Sequence, residues 1–179
     1  MTATGSHIDF GFAARSTTLQ GKAYAPPEVF HISYPNFKKG AVFMDLKELC
    51  TLAVEAMGHA YAPYSGYKVG AALLCADGTV YQGCNIENAS YTPTVCAERT
   101  AFFKAVYDGH RDFTAIAVCG GKDGVLTGAF PPCGVCRQVM REFCEDDFLL
   151  CFVTPEGYET HTLAEVLPFS FSAKTHMQL

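Results

Sequence analysis

The chain has 179 residues, 49% of them hydrophobic and 17% charged, and a net charge of −5. That is enough apolar material to bury the core of one ordinary domain, and too much for a disordered chain. The acidic balance speaks against a nucleic-acid partner, which would favour a basic face; apolar runs such as 70–75 and 148–153 are too short to cross a bilayer.

Residues 1–44 carry aromatics and prolines (Tyr24, Pro26, Pro27, Phe30, Tyr34, Pro35, Phe37) without sustained periodicity, and read as an irregular arm. They show no basic stretch followed by an apolar one, so a cytoplasmic protein is expected. Residues 45–179 read as the folded domain. Asp45 is placed to cap a helix whose apolar residues Leu46, Leu49, Cys50, Ala53, Val54 and Met57 recur at helical spacing. Residues 62–66 (APYSG) break it. A buried strand is expected over 69–75, a hairpin turn at Asp77-Gly78 and a partner strand over 79–83. A loop rich in Asn and Pro runs from Cys84 to Thr94. A helix over 97–107 should end near Gly109, followed by a strand over 115–119 and a Gly-rich loop to Pro132. A third helix over 134–144, a strand over 148–154, a turn at Pro155-Glu156-Gly157 and a return strand complete the pattern. It predicts an α/β fold, a three-layer αβα sandwich around a mixed sheet of five strands.

Nine cysteines are the unusual count. An odd number without a secretory signal does not read as a disulfide framework. Cys50, Cys75, Cys119, Cys144 and Cys151 sit in apolar stretches, where Cys acts as a small hydrophobe. Cys96, Cys133 and Cys136 differ, because they fall at or just before two helix starts, where free N–H groups favour thiolates. The pair Cys133-Gly134-Val135-Cys136 can reach one zinc ion, although alone it could equally be redox-active, structural or incidental. Cys96-Ala97-Glu98 adds a third thiol two residues before a carboxylate. Three protein ligands leave an open position, the mark of a catalytic rather than a structural zinc. A structural zinc, the bland reading, would need Cys84 or His59 as a fourth ligand. Three thiolates also over-charge one dication, and Arg99 and Arg137, each next to a key residue, are candidates to donate to the sulfurs.

The segments Cys96-Ala97-Glu98-Arg99 and Pro132-Cys133-x-x-Cys136-Arg137-Gln138 closely resemble the zinc-dependent cytidine deaminases, in their three-cysteine, homotetrameric form. So do Ala60-Tyr61-Ala62-Pro63-Tyr64-Ser65, Val69-Gly70-Ala71-Ala72 and the run from Gly83 to Tyr91, in the family's order. The resemblance covers about 45–171. It implies one Zn²⁺ per subunit on Cys96, Cys133 and Cys136, with Glu98 as the acid–base residue that moves protons between water, the pyrimidine N3 and the departing amine. The implied reaction is hydrolytic deamination of cytidine and 2′-deoxycytidine in pyrimidine salvage, with Ala97 contacting the base.

Asn85 and Glu87 can hydrogen-bond sugar hydroxyls, and the matching family residues hold the ribose 3′-hydroxyl; a carboxylate there would repel a 3′-phosphate. Tyr67 stands where the family usually has Phe, near the pyrimidine pocket. In Leu167-Pro168-Phe169-Ser170-Phe171 the resemblance gives Phe171 the role of entering a neighbouring subunit's active site, with Phe169 in place of the usual small residue. A deaminase of a cytosine nucleoside antibiotic of the blasticidin type, a polynucleotide-editing enzyme and a non-catalytic zinc scaffold are the competing readings.

Overall fold

Asp45 caps the first helix, its carboxylate accepting the Lys47 amide at 3.1 Å. Helix α1 (Leu46–Met57) then buries Leu49, Cys50, Ala53, Ala56 and Met57 along one side. The computed structural model describes residues 44–177; apart from Met44, the arm expected over residues 1–44 lies outside them. Strand β1 (Tyr67–Cys75) turns at Asp77-Gly78 into β2 (Val80–Cys84). Helix α2 (Ala97–Tyr107) leads to β3 (Phe113–Lys122), and α3 (Gly134–Phe143) to the hairpin of β4 (Leu149–Thr154) and β5 (Gly157–Thr162). Two four-residue helices, α4 (Leu163–Val166) and α5 (Ala173–His176), follow.

The five strands form one mixed sheet in the order β2-β1-β3-β4-β5, as the element pattern predicts. Only β3 and β4 pair in parallel; the other neighbours are antiparallel. Alternation along the strands divides the core in two. Ala72, Leu74, Ala115, Ala117, Cys119, Leu149, Cys151 and Val153 face α1 on one side. Ala71, Leu73, Ile116, Val118, Leu150 and Phe152 face α2 and α3 on the other, with Phe102 and Met140 buried among them. The five cysteines assigned to apolar stretches all join these cores.

This topology positions the site. Strands β2 and β3 run the same way, because both are antiparallel to β1 between them. Helices α2 and α3 follow those strands and lie on the same face, so both begin at the same end of the sheet, where open α/β folds place their ligands. Gly83 lets α2 lie directly on β2, since a Cβ there would stand 2.3 Å from the Ala97 carbonyl oxygen.

Strand β3 runs three residues beyond the expected 115–119, where a Gly-rich loop was anticipated. Gly120 and Gly121 continue the ladder opposite Val69 and Lys68. Their missing side chains make room for neighbours: a Cβ on Gly120 would meet the Phe130 ring at 2.8 Å.

Candidate metal centre and active site

Cys96 is the N-cap of α2 and Cys133 the N-cap of α3, both in extended backbone with no side-chain cap of their own. Cys136 lies one turn further along α3 and is fully buried. The two helix starts bring the sulfurs together: Cys133 Sγ is 3.8 Å from Cys96 Sγ and 3.5 Å from Cys136 Sγ. Two thiolates on one tetrahedral zinc stand about 3.8 Å apart, given Zn–S bonds of about 2.3 Å, so the spacing fits zinc. Among the described residues no fourth His, Cys, Asp or Glu joins this group. Cys84 is turned elsewhere, its thiol donating to the His59 carbonyl at 3.3 Å. The donor set therefore leaves a position open.

Electrostatics around the sulfurs fit the same ion. The Arg99 guanidinium donates from Nη2 to Cys96 Sγ at 3.4 Å and to the Thr94 carbonyl at 3.3 Å. A hydrogen bond from the Cys136 thiol, with Arg99 adding to it, holds the Cys96 thiol down to about 5. The same exchange, together with burial, pushes Cys136 up. Cys96, Cys133 and Cys136 would give up their remaining protons on holding a dication.

Arg137 departs from the expectation that it serves the sulfurs. Its Nε donates to the Pro132 carbonyl at 2.7 Å and its Nη1 to the Val166 carbonyl at 2.8 Å. It fixes the loop that delivers Cys133 and ties α3 to α4, so its contact with the metal centre is indirect.

Glu98, at the second position of α2, is only 4% exposed. Burial pushes its carboxyl up to about 7, with the Cys96 charge adding to the effect, and it lies in hydrogen-bonding reach of the Cys136 thiol. A buried carboxylate beside an open metal position is suited to carrying protons. Ala97 is fully buried in front of it.

The segment 85–87 runs beside this helix start. Ile86 exchanges both backbone hydrogen bonds with Val95, while Tyr61 bonds to Asn85 and Glu87 on the other side. Asn85 is 8% exposed; its Oδ1 accepts the Val69 amide and its Nδ2 donates to the Tyr67 carbonyl, both at 2.8 Å. One N–H and one lone pair of that amide remain for another partner. The Glu87 carboxylate accepts from the Tyr64 and Ser65 amides at 2.9 and 3.2 Å and from the Ser65 hydroxyl at 2.5 Å. These bonds hold its pKa below the usual range. Asn85 and Glu87 thus also pin the entry to β1.

Tyr67 shares its sheet face with Val69, Ala71 and Leu73, the face that carries α2 and α3. Its half-exposed ring lies 6.5 Å from Phe130, with Lys122 Nζ 5.5 Å from its centroid. The sequence carries one signal for Phe130, the Gly120 whose missing side chain admits its ring. Phe171 is 56% exposed and stacks on His176 at 4.8 Å, and its carbonyl accepts from Gln138 of α3 at 2.9 Å. Phe169 is fully exposed, at a φ of 54°.

A three-layer α/β fold with three thiols and a buried carboxylate gathered at two helix starts has the makings of a zinc-binding protein. Residues 43–151 match the cytidine and deoxycytidylate deaminase zinc-binding region. The cytidine deaminase of Sporosarcina psychrophila is 49% identical over 130 residues, covering 72% of this chain and 93% of its own length. That of Halalkalibacterium halodurans is 48% identical over 132 residues, covering 73% and 97%. The crystal structure of cytidine deaminase from Burkholderia pseudomallei superposes with a TM-score of 0.67 at 43% identity, covering 72% of this chain and all of that one. The chain belongs to the family of zinc-binding cytidine and deoxycytidylate deaminases. Among the described residues no helix is long and apolar enough to cross a membrane.

Proposed function

We propose that this protein hydrolyses free cytidine and 2′-deoxycytidine to uridine and 2′-deoxyuridine with release of ammonia, as a cytoplasmic enzyme of pyrimidine salvage. The observation that carries the reading is the closure of Cys96, Cys133 and Cys136 to within 4.8 Å of one another beside the buried Glu98. Zinc, when bound there, supplies the Lewis acidity that makes water a usable nucleophile at neutral pH. Glu98 takes the proton from that water and hands it to the pyrimidine N3. Once the water oxygen has bonded to C4, Glu98 takes the second proton from that oxygen and gives it to the C4 amine; the C4–N bond breaks, ammonia leaves, and the carboxylate returns to its starting state. Ala97 presents backbone at the base, Tyr67 walls the ring, and Arg99 offsets the charge of the thiolates. Residues 45–179 make up the catalytic domain, with 1–44 as an arm.

Asn85 and Glu87 select the free nucleoside by binding the 3′-hydroxyl, in addition to pinning β1. Loss of a hydrogen bond to a charged group costs about 1.5–3 kcal/mol, or roughly 10- to 100-fold. The native enzyme should therefore process 3′-deoxycytidine with a kcat/KM lower by that factor than cytidine, and Glu87→Gln should abolish most of the difference. Equal rates on the two nucleosides with native enzyme would place the sugar contact elsewhere. In the same assay blasticidin S and single-stranded oligonucleotides should be poor substrates; preference for either would overturn the nucleoside reading.

The reading extends to a homotetramer with shared active sites, into which Phe171 reaches from a neighbour. Support comes from the aromatics left exposed on this chain, among them Tyr61, Tyr91, Phe103, Tyr107 and Phe171. Light scattering on the full chain should give four subunits of 19.4 kDa each. A fully active monomer would contradict shared sites.

A further inference from the structure

Helix α2 has ligand-type side chains at both ends. Its N-terminus carries the three-cysteine centre. Beyond its C-terminus, at the opposite end of the sheet, Cys75, Asp77 and His110 bring a thiol, a carboxylate and an imidazole within 4.8 Å of one another. The 11 residues of α2 separate the two groups by about 16 Å at 1.5 Å per residue.

The three come from different segments, each held by its own backbone. Cys75 ends β1 and closes the hairpin, its amide donating to the Thr79 carbonyl at 2.9 Å and its carbonyl accepting from Gly78 at 3.0 Å. Asp77 spends Oδ1 on the Thr79 amide at 3.0 Å and aims Oδ2 at His110. His110 follows Gly109, whose φ of 98° turns the chain off the helix, and its amide donates to the Ala105 carbonyl at 3.0 Å. The Tyr81 ring stands edge-on to the imidazole at 5.3 Å and is itself tied to Asp108 through its hydroxyl.

The spacing suits an ion pair or a shared metal ion rather than a hydrogen bond. Asp77 Oδ2 lies 3.5 Å from His110 Nδ1, outside the ordinary N–H···O range of about 2.7–3.2 Å. Nitrogen and oxygen on one tetrahedral zinc, each about 2.0–2.1 Å from the metal, stand about 3.3 Å apart. Charge agrees: one thiolate and one carboxylate neutralise a dication, whereas three thiolates over-compensate it. A nucleophile–imidazole–carboxylate relay is the other chemistry such a trio can perform, but Cys75 is 2% exposed, so no substrate carbonyl can approach its sulfur.

We propose that Cys75, Asp77 and His110 form a second metal site, which binds Zn²⁺ or a similar borderline divalent cation with water in the fourth position and clips the β1–β2 hairpin to the end of α2. Binding would displace the Cys75 thiol proton to solvent.

Zinc content, measured by elemental analysis of the full-length holoenzyme in buffer holding micromolar free Zn²⁺, tests the site. Native protein should carry one more zinc per chain than His110→Ala or Asp77→Asn, while all three turn over cytidine at the same kcat. Both substitutions lie near the surface, so the test does not depend on Cys75→Ser folding. The comparison is a difference of one ion, independent of occupancy at the three-cysteine centre. Equal zinc content in native protein and both variants would overturn the proposal, whatever its value.

Discussion

Glu98→Gln should lower kcat for cytidine by more than ~10⁴-fold while leaving zinc content unchanged. One acid–base group typically contributes ~10²–10⁴-fold. Glu98 is asked for more, because a single carboxylate serves water activation, protonation of the ring nitrogen and departure of the amine. Glutamine keeps the shape of a side chain that is 4% exposed, so packing around the start of α2 is retained. It also removes a carboxyl whose ionisation burial disfavours, so the variant should be no less stable than the parent. The loss must then appear in turnover alone. The fall in ultraviolet absorbance as cytidine becomes uridine measures it, with thermal melting alongside. A variant retaining more than a tenth of native kcat would remove Glu98 from the chemistry.

Cys136→Ala should remove one zinc ion per chain and abolish activity. Cys136 is fully buried and 3.5 Å from Cys133 Sγ, and without it only two thiols remain for the metal. Loss of an outer partner of a metal ligand already costs about 10- to 100-fold in affinity; loss of the ligand itself should exceed that. The centre also joins the first turn of α2 to that of α3, so bound metal stabilises the fold by mass action. The melting temperature of the native protein should rise with added zinc through this centre, and that part of the rise should vanish in the variant. Cys119→Ala is the control. Cys119 is equally buried, but its thiol meets the Ala53 carbonyl at 3.3 Å in the core against α1. It should lose some stability through the small cavity and keep its zinc. Loss of zinc from Cys119→Ala but not from Cys136→Ala would contradict the assignment of ligands.

The three-cysteine group was legible because each member carries a local signal: two thiols with two residues between them, and a third with one residue between it and a carboxylate, all at helix starts. The sheet was legible because its strands alternate and its turns carry Asp-Gly and Pro-Glu-Gly. Long-range partners were not. Nothing near Arg137 in sequence says that its guanidinium meets the Val166 carbonyl, 29 residues away, rather than a sulfur. The trio at Cys75, Asp77 and His110 is spread over three segments that only folding brings together. Helices α4 and α5 have four residues each, too few to set up a period, although Thr162 and Glu165 form a capping box that announces α4. The end of strand β3 is hidden in the sequence because Gly120 and Gly121 look like loop residues, and only their ladder partners Val69 and Lys68 make them strand.

Incubation of the zinc-loaded enzyme with cytidine, with uridine and ammonia both quantified, tests the central claim most directly. The expected result is equimolar uridine and ammonia at a rate in the ordinary enzymatic range, about 1–10³ per second. A zinc chelator should abolish that rate and added Zn²⁺ restore it. Absence of uridine from a folded, zinc-replete protein, or full turnover after complete removal of zinc, would contradict it.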